Sequence, residues 1–495
     1  MPTFDPIVQL IDAPRKTFQT GVAAAKTCYA KDFVTPDEVD HVGEDFSKGI
    51  YQAGHHTVNQ HANFTFAISG VSRHFVWSFL HTHPFYNSSQ QSQRYVDAGV
   101  VGYVTPSMSD KAAAIYKSTV EEMILCYYQL CDLLFQPACE EYFKRFPARK
   151  KNERDWYSQT SKIAMENARY VLPICMTTRL YHTVDATTLM RYWHLRNTGD
   201  AKEEQDIVAT KMVQAVCNSE PKYRALLSCN LEYPDYPEEY HRRFGSTEKY
   251  IRSFDMALGG RMSRLFTYTN DAAYVTATAV RDVLGLFPSE MSDQMALEHA
   301  LNPAYSPALA ETLRPTRQTK LGACLTHAHF TFAKRLSHTA DSQNQRHRMV
   351  SASRPLLSNY IGSQPDCTMP KMIAKHSKAR DVFEHAMEVS WHCANILNNE
   401  EGFVYILPNA LNIRMTETGS LADLQHKYAT RLCLNAQDEI REASMQEVEQ
   451  IGEVFPEIAK FLAPSCVLRN MAGMDPYCNE GQRFCGRSAW NQKTV

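Results

Sequence analysis

A chain that contains one sequence twice is constrained by that repeat before anything else, because two copies of one fold must share a single chain. Here "HANFTFAISGVSRH", His61 to His74, lines up with "HAHFTFAKRLSHTA", His327 to Ala340, and the shared Phe-Thr-Phe begins at Phe64 and at Phe330, 266 residues apart. A second pair follows in the same order. "YVLPICMTT" from Tyr170 matches "YILPNALNI" from Tyr405, and Arg196 and Arg431 follow at equal distances, 235 residues apart. The smaller spacing means that the first copy carries extra residues between its two motifs. The copies also start alike: "IVQLIDAPRKTFQTGVAAAKTCY" and "MSRLFTYTNDAAYVTATAVRDVLG" each read as a short strand, a polar turn and an alanine-rich helix. Between them "LEYPDYPEEYHRRFGS", Leu231 to Ser246, is rich in proline, aromatics and charge, which sets two domains at 1–240 and 241–495.

Within each copy the pattern predicts a strand pair around Phe-Thr-Phe and then long helices, over Asp110 to Gln136 and Ala379 to Asn399. Pro173 and Pro408 mark a bend or a helix start, followed by a closing amphipathic helix. The expected class is α/β, in the mixed α+β sense, without βαβ alternation. No GxGxxG loop is present, so any nucleotide must be held by side chains.

Composition narrows the function classes. A formal net charge of −2 argues against a general nucleic-acid binder, which shows a basic face or stripe. No apolar run of the roughly 18 residues a membrane span needs occurs, and "MPTFDPIVQLIDAPRK" lacks the form of a secretory signal. The 14 cysteines are scattered, so the expectation is a cytoplasmic protein with reduced thiols. "NQRHRMVSAS", Asn344 to Ser353, stands out: Arg346-His347-Arg348 gathers three cationic or protonatable donors, which need an anion when buried. A basic run is also the ordinary makeup of a solvated surface.

The stretch "HANFTFAISGVSRHFVWSFLHTHPFYNSSQQSQRY" resembles the signature region of flavin-dependent thymidylate synthases, and "ENARYVLPICMTT" and "ATRLCLNAQDEIREA" resemble later motifs of that family. The family pattern is an Arg-His-Arg followed after seven residues by serine and, two further on, arginine. Each copy has lost a different part. The first keeps Gln90, Gln91, Ser92, Gln93 and Arg94, which match the arm for the substrate phosphate, but its Arg-His-Arg has become His81-Thr82-His83, or Thr82-His83-Pro84. The second keeps Gln343 and Arg346-His347-Arg348, but Leu356 and Ser358 stand in the serine and arginine places. Arg169 matches a substrate arginine, with Val404 as its counterpart, and Arg196 and Arg431 match the arginine that polarises the pyrimidine.

The resemblance implies two tandem thymidylate synthase-like copies that form a pseudo-dimer, with one composite site assembled from the retained halves. It implies FAD as cofactor, with NADPH and methylenetetrahydrofolate as cosubstrates, and a pyrimidine nucleotide, most simply dUMP, as substrate. Arg346, His347, Arg348 and Ser351, with His81 and His83, are then the flavin-facing candidates. Arg431 and Arg196 are the catalytic ones. A homodimer imitating the family's tetramer is expected, with no nucleic acid or membrane partner. Modification of a different pyrimidine nucleotide, for example hydroxymethylation, and a noncatalytic nucleotide-binding descendant stay open as alternatives. His55, His56 and His61 read as structural histidines. Near the end, Cys466, Cys478 and Cys485 offer three thiols for zinc, below the reading as free thiols, with a fourth ligand to come from afar, such as Cys367 or a histidine.

Overall fold

The computed structural model describes residues 5–96, 101–227 and 247–487, so the expected boundary at 240/241 lies outside the described residues. Each copy is built on a four-stranded antiparallel sheet. In the first, β1 (Ile7–Asp12), β2 (Asn63–Ser72), β3 (Asn87–Gln90) and β4 (Thr177–Asp185) run in the order β1-β2-β4-β3. In the second, β5 (Ser263–Tyr268), β6 (His329–Ser337), β7 (Ser351–Ser353) and β8 (Asn412–Ser420) run in the order β5-β6-β8-β7. The two-residue period of a strand explains the repeated motif. Phe64, Phe66, Phe330 and Phe332 point inward and are buried. The threonines between them point outward, where the Thr65 hydroxyl meets Thr183 and that of Thr331 meets Thr418, both at 2.9 Å.

Gly70, at φ +75°, sits in an irregularity of β2 where the register slips between Ser69 and Val71. That extra residue lowers the spacing between copies from 266 to 265, so Ser72 and Ser337 take the same place at the strand ends. Each caps the next helix, Arg73–Leu80 or His338–Asn344, by accepting from a backbone N–H three residues on. Each is also gripped by a buried carboxylate. Glu204 accepts from the Ser72 N–H at 2.8 Å and from its hydroxyl, and Glu439 accepts from the Ser337 N–H and hydroxyl at 2.6 Å. Burial pushes the Glu204 carboxyl up to about 7 despite those donors.

The copies meet about a pseudo-twofold axis. The Ile174 N–H donates to Leu407 O and the Asn409 N–H to Leu172 O, both at 2.8 Å, and Pro173 bridges Pro408. The expected helix starts at these prolines are therefore corrected. Each proline follows a short 3-10 turn, lies in the seam, and is succeeded by a strand, β4 or β8, before any helix. A core of Trp77, Leu80, Ile174, Trp391, Val404 and Ile406 runs across the seam. Each large apolar side chain buried there contributes about 1.5–3 kcal/mol. The extra residues of the first copy form a helical hairpin. The helix Asp110–Arg145 outruns its counterpart Ser377–Ile396 and returns through Tyr157–Ala168.

Candidate functional site

A cavity of about 330 Å³ opens at the seam, and both copies line it. The first copy contributes the arm Gln90 to Tyr95, with Arg73, Val76, Trp77 and Arg169; the second contributes Thr339, Ser342, Gln343, Gln345, Arg346, Asn409, Arg431 and Arg483. The structure thus brings together Gln90, Gln91, Ser92, Gln93, Arg94, Arg169, Gln343, Arg346 and Arg431. Arg73, Tyr95, Gln345, Asn409 and Arg483 were not anticipated from the sequence. The signal for Arg73 was present in the repeat: it sits where the other copy has His338.

Strand β3 leads into the arm, which folds over Arg73. The Arg73 Nη2 donates to Gln91 O at 2.8 Å, and its Nε is buried without a partner. Arg94 donates to Asn435 O at 3.1 Å and pairs with Glu166 at 2.9 Å, again with a partnerless Nε. Arg169 donates to Gln437 Oε1 at 3.0 Å, and its Nε likewise has no partner. Gln93 Nε2 and both amide atoms of Gln345 add to this inventory of buried, partnerless polar atoms. Such atoms are costly in a folded chain unless a ligand or solvent completes them.

The electrostatics point to the same need. Burial, then the neighbouring Arg169 and Arg346, pull Arg73 down to about 9. Burial, then Arg346 and Arg94, pull Arg431 down to about 10. Guanidiniums keep their protons, so this repulsion is stored until an anion relieves it.

The Arg346-His347-Arg348 run goes three ways. Arg346 lines the cavity. His347 stands behind Arg431, whose Nε donates to His347 Nε2 at 2.8 Å while Nη2 donates to Gln343 O at 2.7 Å. Burial and then the Arg431 charge hold His347 well below its usual range, so it stays a neutral acceptor that aims Arg431. Arg348 leaves the site: its Nη2 donates to Asn87 Oδ1 at 3.1 Å and its guanidinium lies 5.0 Å over the Tyr86 ring. Ser351 is exposed on β7. His81 Nδ1 donates to Trp77 O at 2.6 Å, and His83 packs among Phe85, Tyr86 and Tyr192. None of His347, Arg348, Ser351, His81 and His83 lines the cavity. Arg196 is also elsewhere, paired with Asp206 at 3.1 Å and stacked over Trp193.

The symmetry-related place is packed shut. Counterparts of Gln90, Gln93, Arg169 and Asn409 are Arg354, Leu357, Val404 and Ile174, and the last three are buried core. Arg354 turns inward to clamp Asp341 with two hydrogen bonds of 2.6 and 2.8 Å, and Trp77 Nε1 donates to the same carboxylate at 2.8 Å.

Behind Arg346 and Arg431 the second copy holds a buried network of four charges. Lys334 pairs with Glu417 at 2.9 Å and Glu447 at 2.7 Å, and Lys427 pairs with both. Glu417 also accepts from Asn344, two residues before Arg346, and Lys427 lies one helical turn before Arg431. Burial opposes the charge on Glu417, but the two ammonium groups hold it well below the usual carboxylate range. In the first copy the same four places hold Ile68, His182, Tyr192 and Met212.

A wider cleft of about 1670 Å³ continues from the cavity and shares Arg94, Tyr95, Arg431 and Arg483 with it. The hairpin forms one wall, where Arg149 stacks 4.0 Å over Phe146 and 4.1 Å over Trp156. The other wall comes from 365–371 and 430–442 of the second copy.

Fold and cavity together define a duplicated mixed α/β chain with an arginine-rich cavity between its copies. The chain belongs to the thymidylate synthase complementing protein family, whose pattern matches residues 9–222 and again 264–457. It is similar to the flavin-dependent thymidylate synthase of Clostridium tetani (strain Massachusetts / E88), 30% identical over 220 residues, covering 42% of this chain and 81% of the relative. The enzyme of the same name from Nitratidesulfovibrio vulgaris is 28% identical over 224 residues (43% and 83%), and that from Geobacter sulfurreducens 30% over 173 residues (33% and 71%). Among the described residues no helix is long and apolar enough to cross a membrane.

Proposed function

We propose that the chain methylates dUMP to dTMP at the seam cavity, using a flavin, FAD, with methylenetetrahydrofolate as carbon donor and NADPH as reductant. The observation that carries this reading is the convergence of Arg73, Arg94, Arg169, Arg346 and Arg431 on one cavity, three of them with a buried partnerless Nε. A nucleotide phosphate suits such a set, because each charge-assisted hydrogen bond contributes about 1.5–3 kcal/mol and guanidiniums bind phosphate in pairs.

Arg73, Arg94, Arg169 and Arg346 then hold the phosphate, and the Gln93 and Gln345 amides orient the base or sugar. Arg431, aimed by His347 and the Gln343 carbonyl, places a cation beside the pyrimidine and favours the N3-deprotonated, electron-rich ring. That raises the nucleophilicity of C5 without a protein thiol. Trp77 and Val76 add apolar surface to the cavity lining.

The adjoining cleft fits a flavin by its size, its shared arginines and the Arg149–aromatic stack on its far wall. A bound flavin supplies the reducing electrons. Two chains would present four copies, as a homodimer.

The test is a complete anaerobic assay of the purified chain with these cosubstrates and mass-spectrometric identification of the product. The expected product is dTMP, with Arg94→Ala and Arg346→Ala each lowering turnover at least tenfold. A hydroxymethylated product, or flavin and nucleotide binding without any product, would refute the proposal.

A further inference from the structure

Among the described residues no three His, Cys, Asp or Glu side chains form a group able to hold a metal, and Cys466, Cys478 and Cys485 are no exception. The buried charges still without a role are Lys334, Glu417, Lys427 and Glu447. They join four separate elements: Lys334 and Glu417 sit on β6 and β8, Lys427 on the helix Leu421–Arg431, and Glu447 on the helix Asp438–Val454. Each ammonium reaches both carboxylates, and no member is more than 1% exposed. Glu447 also accepts from Ser263 Oγ at 2.9 Å and from Tyr428 Oη at 3.1 Å.

The fold itself does not require these charges, because the first copy fills the same places without them. Ile68, His182, Tyr192 and Met212 are all buried there, and His182 Nε2 lies 3.1 Å from the Tyr192 hydroxyl. Asn344, which donates to Glu417, is matched by Phe79 at the spacing of 265 that relates Ser72 to Ser337. Phe79 packs on Tyr192 with ring centroids 4.3 Å apart. One copy is thus completed by an aromatic and aliphatic cluster, the other by ions. Buried ion pairs are often no more stabilising than apolar residues of similar volume, so what sets them apart is the geometry they impose. The copies differ in the matching way at the site. Arg431 lines the seam cavity, whereas its twin Arg196 is paired with Asp206 and stacked on Trp193.

Two routes run from the network to the cavity. Glu417 holds Asn344, the last residue of the helix His338–Asn344, and Arg346 follows two residues on. Lys427 lies one turn before Arg431 on the same helix, so clamping it between two carboxylates pins a final turn that would otherwise fray. His347 sits between the routes and accepts from Arg431 Nε at 2.8 Å. We propose, resting on the dUMP-methylating reading above, that Lys334, Glu417, Lys427 and Glu447 are positioning residues, a buried ionic platform that keeps Arg346 and Arg431 aimed into the seam cavity. They touch no ligand. Their work is to hold two rotamer-rich guanidiniums in the one geometry that meets a phosphate and a pyrimidine. Two ammoniums balance two carboxylates, so the platform orients the arginines without adding to their mutual repulsion.

Removing one member strands its partners, so the test replaces the whole platform by what the first copy packs in its place: Lys334→Ile, Asn344→Phe, Glu417→His, Lys427→Tyr and Glu447→Met together. Glu417→Gln, which keeps an acceptor for Asn344, is the milder second variant. In the full chain carrying isotopically labelled arginine, the Arg431 Nε–H resonance, identified by its loss in Arg431→Lys, reports the bond to His347 without any nucleotide. Its protection from solvent exchange should fall at least tenfold in the combined variant. dUMP affinity by calorimetry and kcat should each fall at least tenfold there and at least threefold in Glu417→Gln, with a cooperative urea transition showing each variant folded. In a background of Arg346→Ala with Arg431→Ala, the same replacements should change the dUMP Kd by less than twofold, because the platform acts only through those arginines. An unchanged resonance and affinity in the folded variants, or equal losses in both backgrounds, would overturn the proposal. A wild type that binds dUMP but makes no dTMP refutes the reaction alone, and the affinity comparison still decides the platform; one that binds no dUMP overturns both.

Discussion

Replacing Arg169 by the residue its own counterpart carries, Val404, separates what the cavity does for a ligand from what it does for the fold. Arg169 is buried, gives one hydrogen bond to Gln437 Oε1, and carries a partnerless Nε. Gln437 Oε1 keeps a second donor, the Gln343 amide, so Arg169→Val strands no acceptor. It removes one of five mutually repelling guanidiniums, and water fills the space on the cavity side. The fold should therefore lose no more than about 1 kcal/mol and can gain. A bound nucleotide phosphate, in contrast, loses one or two charge-assisted hydrogen bonds, about 1.5–3 kcal/mol, which is roughly 10- to 150-fold in Kd. Calorimetric titration of the flavin-loaded protein with dUMP reads the loss, and deoxyuridine, which lacks the phosphate, serves as the control and should be unaffected. If Arg169→Val changes the dUMP affinity by less than threefold while the urea midpoint is preserved, Arg169 is not a phosphate ligand and the seam cavity needs another occupant. If dUMP and deoxyuridine weaken equally, the arginine supports the base side instead.

Since the symmetry-related place is packed core, calorimetry should return one nucleotide per chain, and Arg196→Ala should leave affinity within twofold; a stoichiometry of two would contradict the packed counterpart. Lys427→Met leaves Glu417 and Glu447 with one ammonium between them and should destabilise by about 3–5 kcal/mol in urea unfolding, whereas a change under 1 kcal/mol would show the network to be dispensable. Stability should fall with acid. Burial pulls His74, His81 and His182 down to about 3, His83 and His338 to about 4 and His347 well below its usual range, so below the unfolded value of 6.5 the unfolded chain takes up six protons that the fold refuses. Burial pushes Glu204 and Asp200 up to about 7, so two protons bind the fold first and oppose this. The balance favours uptake by the unfolded chain, so stability falls from pH 6.5 towards 4.5, and a urea midpoint that is flat or rising over that range would refute it.

The repeat made the duplicated fold legible, because the alternation in Phe-Thr-Phe is local and recurs. The arm and Arg346 were legible for a similar reason, since each copy preserves what the other has lost. What escaped depends on contacts between distant segments. Arg73 looks like an ordinary residue at a strand end until β3 folds over it, and Arg483 reaches the cavity only because the tail returns to Asn435. Arg348 belongs to the same short run as Arg346, yet successive side chains at a turn point different ways, and Asn87 takes it. The prolines misled because a Leu-Pro break is equally a helix start and an entry to a strand, and only the seam decides between them.

The pseudo-twofold seam has a consequence for inheritance. In an assembly of identical subunits, one codon sets a position in every copy, so a change that improves a binding wall also alters the same residue wherever it serves as packing. Joining the copies end to end frees each position to be written twice. Arg169 and Val404, or Gln90 and Arg354, are such pairs: one member lines the seam cavity while its twin becomes filler or a clamp. A chain of this kind halves its number of openings but lets selection tune lock and frame separately, and later mutations in the closed half should be tolerated whenever they preserve volume.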